Sequence, residues 1–336
     1  MAWIGNDMLI TQTPLRVSLA GGGTDLAAYY NQAGGAVVGS AIDKYVYVIL
    51  NRRFDEKIYI SYSSKEIVDS VDEIQHALVR ESMRMTGVER GVEIAIMADI
   101  PSEGSGLGSS SSLTVGLLNA FYTYRGVQAP AEQLAAEACK IEIEVCGKPI
   151  GKQDQYIAAY GGLRYYQFLP DGSVTNEELP LTGAKRQELG ARLLLFYTNI
   201  TRQADVILKE QTRRSDEKRA ELDQLKAMAN EVRDAVRRGD LDTIGLVLRR
   251  SWELKKGLAG GISRPEIDTM VDQAASGGAL GCKICGAGGG GFLMTYCARN
   301  RKSDLRKAMA EYREMPFFLE RFGSRVIFNV EGYEWK

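Results

Sequence analysis

Gly104-Ser-Gly-Leu-Gly-Ser-Ser-Ser-Ser112 is the stretch on which the reading of this chain turns. Upstream, Val92–Ile100 alternates apolar residues with others before Pro101, the pattern of a strand. Downstream, Leu113, Leu117, Leu118 and Phe121 recur at helical spacing, which predicts a helix over Ser109–Tyr124. A glycine- and serine-rich loop therefore joins strand to helix. Glycines let successive backbone N–H groups turn inward, and the unpaired N–H groups at the helix start, with the positive end of its dipole, favour an anion such as phosphate. The serines can cap the helix, donate to phosphate oxygens or offer one hydroxyl oxygen to Mg²⁺. A capped helix after a flexible turn is the alternative on the same residues. No Gly-Lys-Ser/Thr follows at the required spacing, so a Walker A loop is excluded.

Two other glycine runs lie at a distance. Ala20-Gly-Gly-Gly-Thr-Asp25 follows the strand-like Leu15–Leu19. It either admits a ligand, with Thr24 and Asp25 bonding its hydroxyls, or makes a tight strand-to-helix turn capped by one of them. Cys285-Gly-Ala-Gly-Gly-Gly-Gly291 contains G-x-G-x-x-G. A Rossmann site needs a helix next, whereas Phe292-Leu-Met-Thr-Tyr296 continues as a strand, so dinucleotide binding is excluded.

Two carboxylates sit between these runs. Leu134, Ala138, Ile141 and Val145 describe a helix from Pro130 to Gly147, and Glu142 falls at the margin of its apolar face. A metal, a basic partner or a route to water would each account for it, whereas Glu144 points to solvent. Asp154 lies in the polar connection Gly147–Tyr160, within Gly151-Lys-Gln-Asp-Gln-Tyr156. The Lys152 ammonium would keep it ionised and able to accept a proton; capping the following Tyr156–Tyr160 segment is an equally simple role. Arg202, after Thr198-Asn-Ile-Thr201, reads either as an anion contact or as a surface arginine.

With 336 residues, 45% of them hydrophobic, the chain is long enough for two domains, and the turn-rich Pro170–Gly183 marks the boundary. A net charge of −1 gives no field to attract nucleic acid or an anionic membrane. No apolar run approaches a membrane span and Met1–Thr13 is not a secretion signal, so the expected location is the cytoplasm. Five cysteines without scaffold spacing are expected to be reduced thiols. Cys282-x-x-Cys285 has no second pair, and His76, the single histidine, lies in a helix-like stretch, which argues against zinc, redox and histidine-dependent hydrolase chemistry. Leu193–Tyr197, Leu280–Ile284 and Phe292–Tyr296 are expected strands. Gln203–Arg238 reads as a solvated helical pair with one buried face, and Ser303–Arg313 as a helix.

In chain order, Pro14-Leu-Arg-Val-Ser-Leu-Ala-Gly-Gly-Gly-Thr-Asp25, Gly104–Ser112 and Lys283–Phe292 resemble the three motifs of the GHMP kinases, the superfamily of galactokinase, homoserine kinase and mevalonate kinase. Within it, Ala-Gly-Gly-Gly-Thr-Asp25, Gly-Lys-Gln-Asp-Gln-Tyr156 with Gly161-Gly162, Tyr197-Thr-Asn-Ile-Thr-Arg202 and Lys-Ile-Cys-Gly-Ala-Gly-Gly-Gly-Gly-Phe292 resemble the sugar kinases that phosphorylate D-glycero-D-manno-heptose 7-phosphate at C1, towards GDP-heptose and surface polysaccharide. A GHMP kinase of fucose or a hexose, or a non-catalytic ligand-binding member, are the alternatives.

The resemblance implies an α+β fold of two domains: residues 8–185 like the second domain of ribosomal protein S5, and 186–336 ferredoxin-like, with the active site between them. It implies that Gly104, Ser105, Gly106, Leu107, Gly108, Ser109, Ser110 and Ser111 hold the phosphates of ATP, and that Ser110 and Glu142 hold Mg²⁺. Asp154 becomes the base, with Arg16 bracing the catalytic site. Gly23, Thr24 and Asp25 would meet sugar hydroxyls, Arg202 the sugar's phosphate, and Gly288, Gly289 and Gly290 would close around the reacting groups. The implied partner is a small sugar phosphate, with no nucleic acid or membrane and a homo-oligomer left open. Two departures stand out. Pro101 lies five positions before Gly106, one more than in Pro-x-x-x-Gly, and Cys285 replaces the Ser or Thr common before Gly-Ala-Gly.

Overall fold

Short buried hydroxyl residues lengthen the first strands beyond their apolar cores. The sequence predicts strands over Leu15–Leu19 and Val46–Leu50, yet β1 spans Asn6–Ala20 and β2 spans Gly35–Arg52. Thr11 and Thr13 interrupt the apolar pattern but are buried with partners. Thr11 Oγ1 donates to the Gly116 carbonyl at 3.0 Å, and Thr13 Oγ1 bonds Ser324 Oγ at 2.8 Å. Hydrogen-bonded hydroxyls sit inside a sheet at little cost, and hydropathy alone does not find them.

The computed structural model describes residues 6–101, 104–201 and 204–331. The remaining strands are β3 (Ile58–Ser61), β4 (Lys65–Val68), β5 (Val92–Ala98), β6 (Leu163–Phe168), β7 (Val174–Glu178), β8 (Leu193–Tyr197), β9 (Ala279–Ile284), β10 (Phe292–Cys297), β11 (Glu314–Met315) and β12 (Arg325–Glu331). The helices are α1 (Ala27–Ala33), α2 (Ala77–Thr86), α3 (Ser109–Tyr124), α4 (Ala131–Cys139), α5 (Gln153–Tyr160), α6 (Gly183–Arg192), α7 (Ala204–Arg213), α8 (Arg219–Arg238), α9 (Asp242–Lys256), α10 (Pro265–Ser276) and α11 (Lys302–Ala308). His76 begins α2, where its Nδ1 accepts from the Val79 N–H at 3.4 Å.

The first sheet runs β12-β1-β2-β5-β3-β4, with β6 and β7 continuing from β2. One half of β2, Gly35–Ser40, pairs with β6, and the other, Val46–Arg52, pairs with β5. The second sheet runs β11-β8-β10-β9. Counted within that sheet the order is 4-1-3-2, with helices between the first and second and between the third and fourth strands, the ferredoxin-like arrangement.

Strand pairing departs from a cut at residue 185. β12 lies antiparallel to β1, and Leu319 bridges to Ile42, so the end of the chain belongs to the first sheet although it follows the second. One hydrophobic cluster joins Leu15, Val17 and Leu19 of β1 to Phe196 of β8, Trp252 of α9 and Leu293 of β10. A second fills the other face of the first sheet, with Val115, Leu118 and Phe121 of α3 against Val48, Leu50 and Ile94. α3 has the bounds expected from its periodicity, whereas the predicted Ser303–Arg313 helix ends earlier, as α11.

The two sheets meet closely at their glycine loops. A Cβ on Gly286 would lie 2.8 Å from Gly106 Cα, and one on Gly291 would lie 2.4 Å from the Ser105 carbonyl oxygen and 2.6 Å from that of Gly104. Gly291 also has φ +84°, which disfavours any side chain. We expect Gly291→Ala to lower stability by about 1–3 kcal/mol, read as a drop in the thermal midpoint. Gly126→Ala, with a similar φ of +71° but open space around it, should lose less. Equal losses would mean that the loop contact contributes nothing.

Candidate functional site

The start of α3 is open. Its N-cap is Gly108 in the left-handed region, with no side chain capping the helix, so of the roles open to the serines capping is not the one taken. Ser112 Oγ turns away to the Pro14 carbonyl at 2.8 Å. The first N–H groups of the helix are thus left for whatever enters the cleft beside them. That cleft, about 760 Å³, is lined here by Gly104, Ser105, Gly106, Gly108, Ser109, Ser110 and Ser111. Leu107 is the exception. It is buried in the core, its N–H donates to Ser105 Oγ at 3.4 Å, and its carbonyl accepts the Arg16 N–H at 3.0 Å. Leu107 therefore anchors the loop and is not one of its contacts.

Arg16 and Asp154 form the floor. Arg16 Nε donates to Asp154 Oδ1 and Nη2 to Oδ2, both at 2.6 Å, while Nη1 donates to the Gly106 carbonyl at 2.5 Å. The arginine side chain is 5% exposed and the aspartate 21%. Burial would lower the Arg16 pKa, yet the adjoining Asp154 carboxylate holds it above its ordinary value. The expected neighbour of Asp154 was Lys152, but Lys152 Nζ reaches away to the Gly172 carbonyl at 2.6 Å. Asp154 also lies inside the first turn of α5, after the N-cap Lys152, so it does not cap that helix.

Glu142 is completely buried, where helical periodicity put it only at the margin of an apolar face. The reason is a change of winding: α4 ends at Cys139, and Lys140–Val145 form a π-helical turn that displaces the register inward. Ser110 Oγ donates to Glu142 Oε1, and Lys148 Nζ reaches Glu142 Oε1 at 3.0 Å and Ser110 Oγ at 2.6 Å. Gln155 Nε2 donates to the second oxygen, Oε2, at 2.7 Å. Two hard oxygen atoms thus converge on one cation, here an ammonium, which is the donor set a Mg²⁺ ion would use. Among the described residues no group of three or more acidic, histidine or cysteine side chains could hold a metal, so further ligands would have to come from substrate or water.

Asp25 is buried and also lines the cleft. Gln153 Nε2 lies 3.0 Å from each of its oxygens and the Gly23 N–H donates to Oδ1 at 3.0 Å. Burial pushes the Asp25 pKa up and the Asp154 charge adds to it, while the Gly23 and Gln153 backbone N–H groups oppose the rise. Gly151 has no room for a side chain: a Cβ would fall 1.9 Å from Asp25 Oδ2. Gly23 lines the cleft as expected of a substrate contact, but Thr24 does not. Thr24 Oγ1 shares its one proton between the Gly21 and Ala36 carbonyls and accepts the Ala36 N–H, binding the turn to β2.

The third glycine run also needs correction. Gly286 and Ala287 line the cleft, whereas Gly288, Gly289 and Gly290 are buried behind them. Gly289 N–H donates to the Ile262 carbonyl at 2.7 Å, and a Cβ on Gly290 would lie 2.4 Å from the Ile200 oxygen. Arg202 lies outside the described residues. Cys282 and Cys285 are buried, as expected of strand cysteines, and burial pushes the Cys282 thiol up to about 12.

Sequence reasoning left three cleft lysines without a role: Lys148, Lys255 and Lys283. Lys255 of α9 holds the third loop by its Ile284 and Gly286 carbonyls. Lys283 carried a signal, being a charge in the apolar strand Leu280–Ile284. Lys148 carried none, because its pairing with Glu142 depends on the π turn.

Comparison with known proteins gives two family matches: GHMP kinases N terminal domain over residues 71–162, and GHMP kinases C terminal over 232–315. A D-glycero-alpha-D-manno-heptose 7-phosphate kinase from Campylobacter jejuni is 34% identical over 316 residues, covering 89% of this chain and 92% of that protein. An L-fucokinase/L-fucose-1-P guanylyltransferase from Bacteroides fragilis is 28% identical, over 84% of this chain but 34% of the relative. Among solved structures, a D-glycero-D-manno-heptose 1-phosphate kinase from Bacteroides thetaiotaomicron superposes with a TM-score of 0.79 at 25% identity, covering 95% of this chain and 98% of the other.

Thr24→Val removes all three bonds of that hydroxyl and leaves buried backbone groups unpaired, so it should lower stability by about 1–3 kcal/mol in urea unfolding. Ligand affinity measured below the transition should be unchanged. A loss of affinity without a loss of stability would return Thr24 to the binding site.

Proposed function

This chain belongs to the GHMP kinases, and from that membership we propose that it transfers the terminal phosphoryl group of ATP to the C1 hydroxyl of D-glycero-D-manno-heptose 7-phosphate, giving the 1,7-bisphosphate and ADP. The observation that carries this reading is the fixed Asp154 carboxylate, clamped by Arg16 in the cleft that the open α3 terminus lines, with Asp25 in the same cleft. Likeness to heptose phosphate kinases over nearly the whole chain supports the sugar.

The residues divide the work by their chemistry. The loop N–H groups and the start of α3 offset the charge of the phosphates. Asp154 accepts the hydrogen bond of the C1 hydroxyl, aims its oxygen at phosphorus and takes the proton as the new P–O bond forms and the bond to ADP breaks. Arg16 keeps that carboxylate from rotating. Asp25, held by Gln153, presents acceptors to sugar hydroxyls. Ser110 and Glu142 would hold Mg²⁺, which when bound neutralises charge on the terminal phosphates. Lys148 would then leave the position it occupies between them.

ADP release should be at least about 100-fold more efficient with heptose 7-phosphate than with fucose, galactose or mannose. Higher efficiency with an unphosphorylated sugar would overturn the proposed substrate while leaving a sugar kinase. Asp154→Asn should bind an ATP analogue as the wild type does and lose about 100-fold or more in kcat; near-normal turnover would remove Asp154 from the chemistry. Glu142→Gln should raise the Mg²⁺ concentration for half-maximal rate by about 10-fold or more. An unchanged Mg²⁺ titration would mean that Glu142 serves only to hold Lys148.

A further inference from the structure

Lys283 is a buried charge of the cleft that the proposed function does not use. It lies on β9 with 4% of its surface exposed and lines the cleft, yet among the described residues it makes no hydrogen bond and no ion pair. Each neighbouring charge already has its own partner. Arg16 is matched by Asp154, Asp25 by Gln153 and the Gly23 N–H, Glu142 by Lys148, and Lys255 sits on the carbonyls of the third loop. A cation so largely withdrawn from water, with no protein acceptor, favours an anion entering the cleft beside it. Two polar atoms of residues lining the same cleft, Ser18 Oγ and Gln153 Oε1, are buried without a hydrogen-bond partner. The cleft therefore holds unfilled hydrogen-bonding atoms as well as an unmatched cation.

We propose that Lys283 is a further catalytic residue, whose ammonium donates to a phosphate oxygen of the bound ligand beside Arg16 and Asp25. The proposal rests on the kinase reading above for the identity of the anion, which is either the phosphoryl group in transfer or the phosphate that the sugar already carries. Both present the same oxygens to a buried cation, and neither needs any movement of Arg16 from Asp154. Lysine suits the position because three donors on one compact head fit a tetrahedral phosphate without the planar geometry an arginine imposes.

The groups facing Lys283 set how the interaction depends on pH. Burial lowers its pKa to about 8; Arg16 on β1 adds to the lowering, while Cys285 at the end of its own strand and Asp25 after β1 oppose it. Lys255, on α9 behind the loop, is engaged with the Ile284 and Gly286 carbonyls. The cation is present below about pH 8 and lost above it. Anion binding through Lys283 accordingly weakens as the pH rises through that value, and bound phosphate shifts the loss upward by favouring the charged form.

The test compares wild type, Lys283→Met and Lys283→Arg with heptose 7-phosphate and with an unphosphorylated sugar. The binding of an ATP analogue and of inorganic phosphate is followed by calorimetry on the same three proteins. Lys283→Met should lose about 100-fold or more in kcat/KM without a lower thermal midpoint, and Lys283→Arg should recover part of the loss. A fall in kcat with both sugars assigns the oxygen to the phosphoryl group in transfer. A rise in KM confined to the phosphorylated sugar assigns it to the substrate's own phosphate. The alkaline weakening of phosphate binding should vanish in Lys283→Arg, which keeps its proton. Wild-type kinetics and wild-type phosphate affinity in Lys283→Met would overturn the proposal. If the wild type itself turns over no sugar, the kinase reading fails separately, and the calorimetric comparison still decides whether Lys283 binds phosphate.

Discussion

The bidentate pair between Arg16 and Asp154 is the interaction on which the rest of the site depends. It ties the middle of β1 to the first turn of α5, and through Nη1 and the Arg16 N–H it also holds the carbonyls of Gly106 and Leu107. One guanidinium therefore fixes a carboxylate and the glycine loop relative to each other. A buried ion pair of this kind is tolerable only where the remaining donors are satisfied. Arg16 meets that condition because the loop supplies a carbonyl for the hydrogen bonds the carboxylate leaves over. Loss of either partner would strand a charge and release the loop together, so geometry and stability are coupled at this point.

Around that pair the cleft is assembled by backbone approach. Gly286 and Gly291 from the second sheet touch Gly104, Ser105 and Gly106 from the first, at separations that no side chain permits. α8 rests on β1 and β2 while α9 lies against β9, and a single hydrophobic cluster runs through them. The return of β12 to β1 closes the chain back onto the sheet where it began. These constraints explain why glycine occurs in runs here: each run meets a neighbouring backbone, and in the third run only Gly286 among the glycines lines the cleft.

Several charges of the cleft are held by fixed partners. Arg16 faces Asp154, Lys148 faces Glu142 and Ser110, and Asp25 is held by Gln153 and a backbone N–H. Such pairing keeps each carboxylate in place without closing the start of α3, whose N–H groups are the natural seat of an anion. Lys283 stands outside the pairing, and it lies in the strand that leads into the third glycine run.

The sequence by itself determined the strand-loop-helix unit at Val92–Tyr124, because both periodicities and the glycine-serine loop are local properties of consecutive residues. It also determined the three motifs that mark the family, and singled out Asp154, Glu142 and Asp25 as candidates. Only the tertiary structure decided what each of these groups meets. Asp154 is clamped by Arg16, 138 positions away, and not by its neighbour Lys152. Glu142 turns inward because of a π turn that a regular 3.6-residue count does not contain. Thr24 and Leu107 belong to motifs yet serve the scaffold, and Gly286 with Ala287 faces the cleft in place of Gly288–Gly290. Which atom of a motif reaches a ligand depends on the elements that pack behind it, and those come from parts of the chain that the motif does not include.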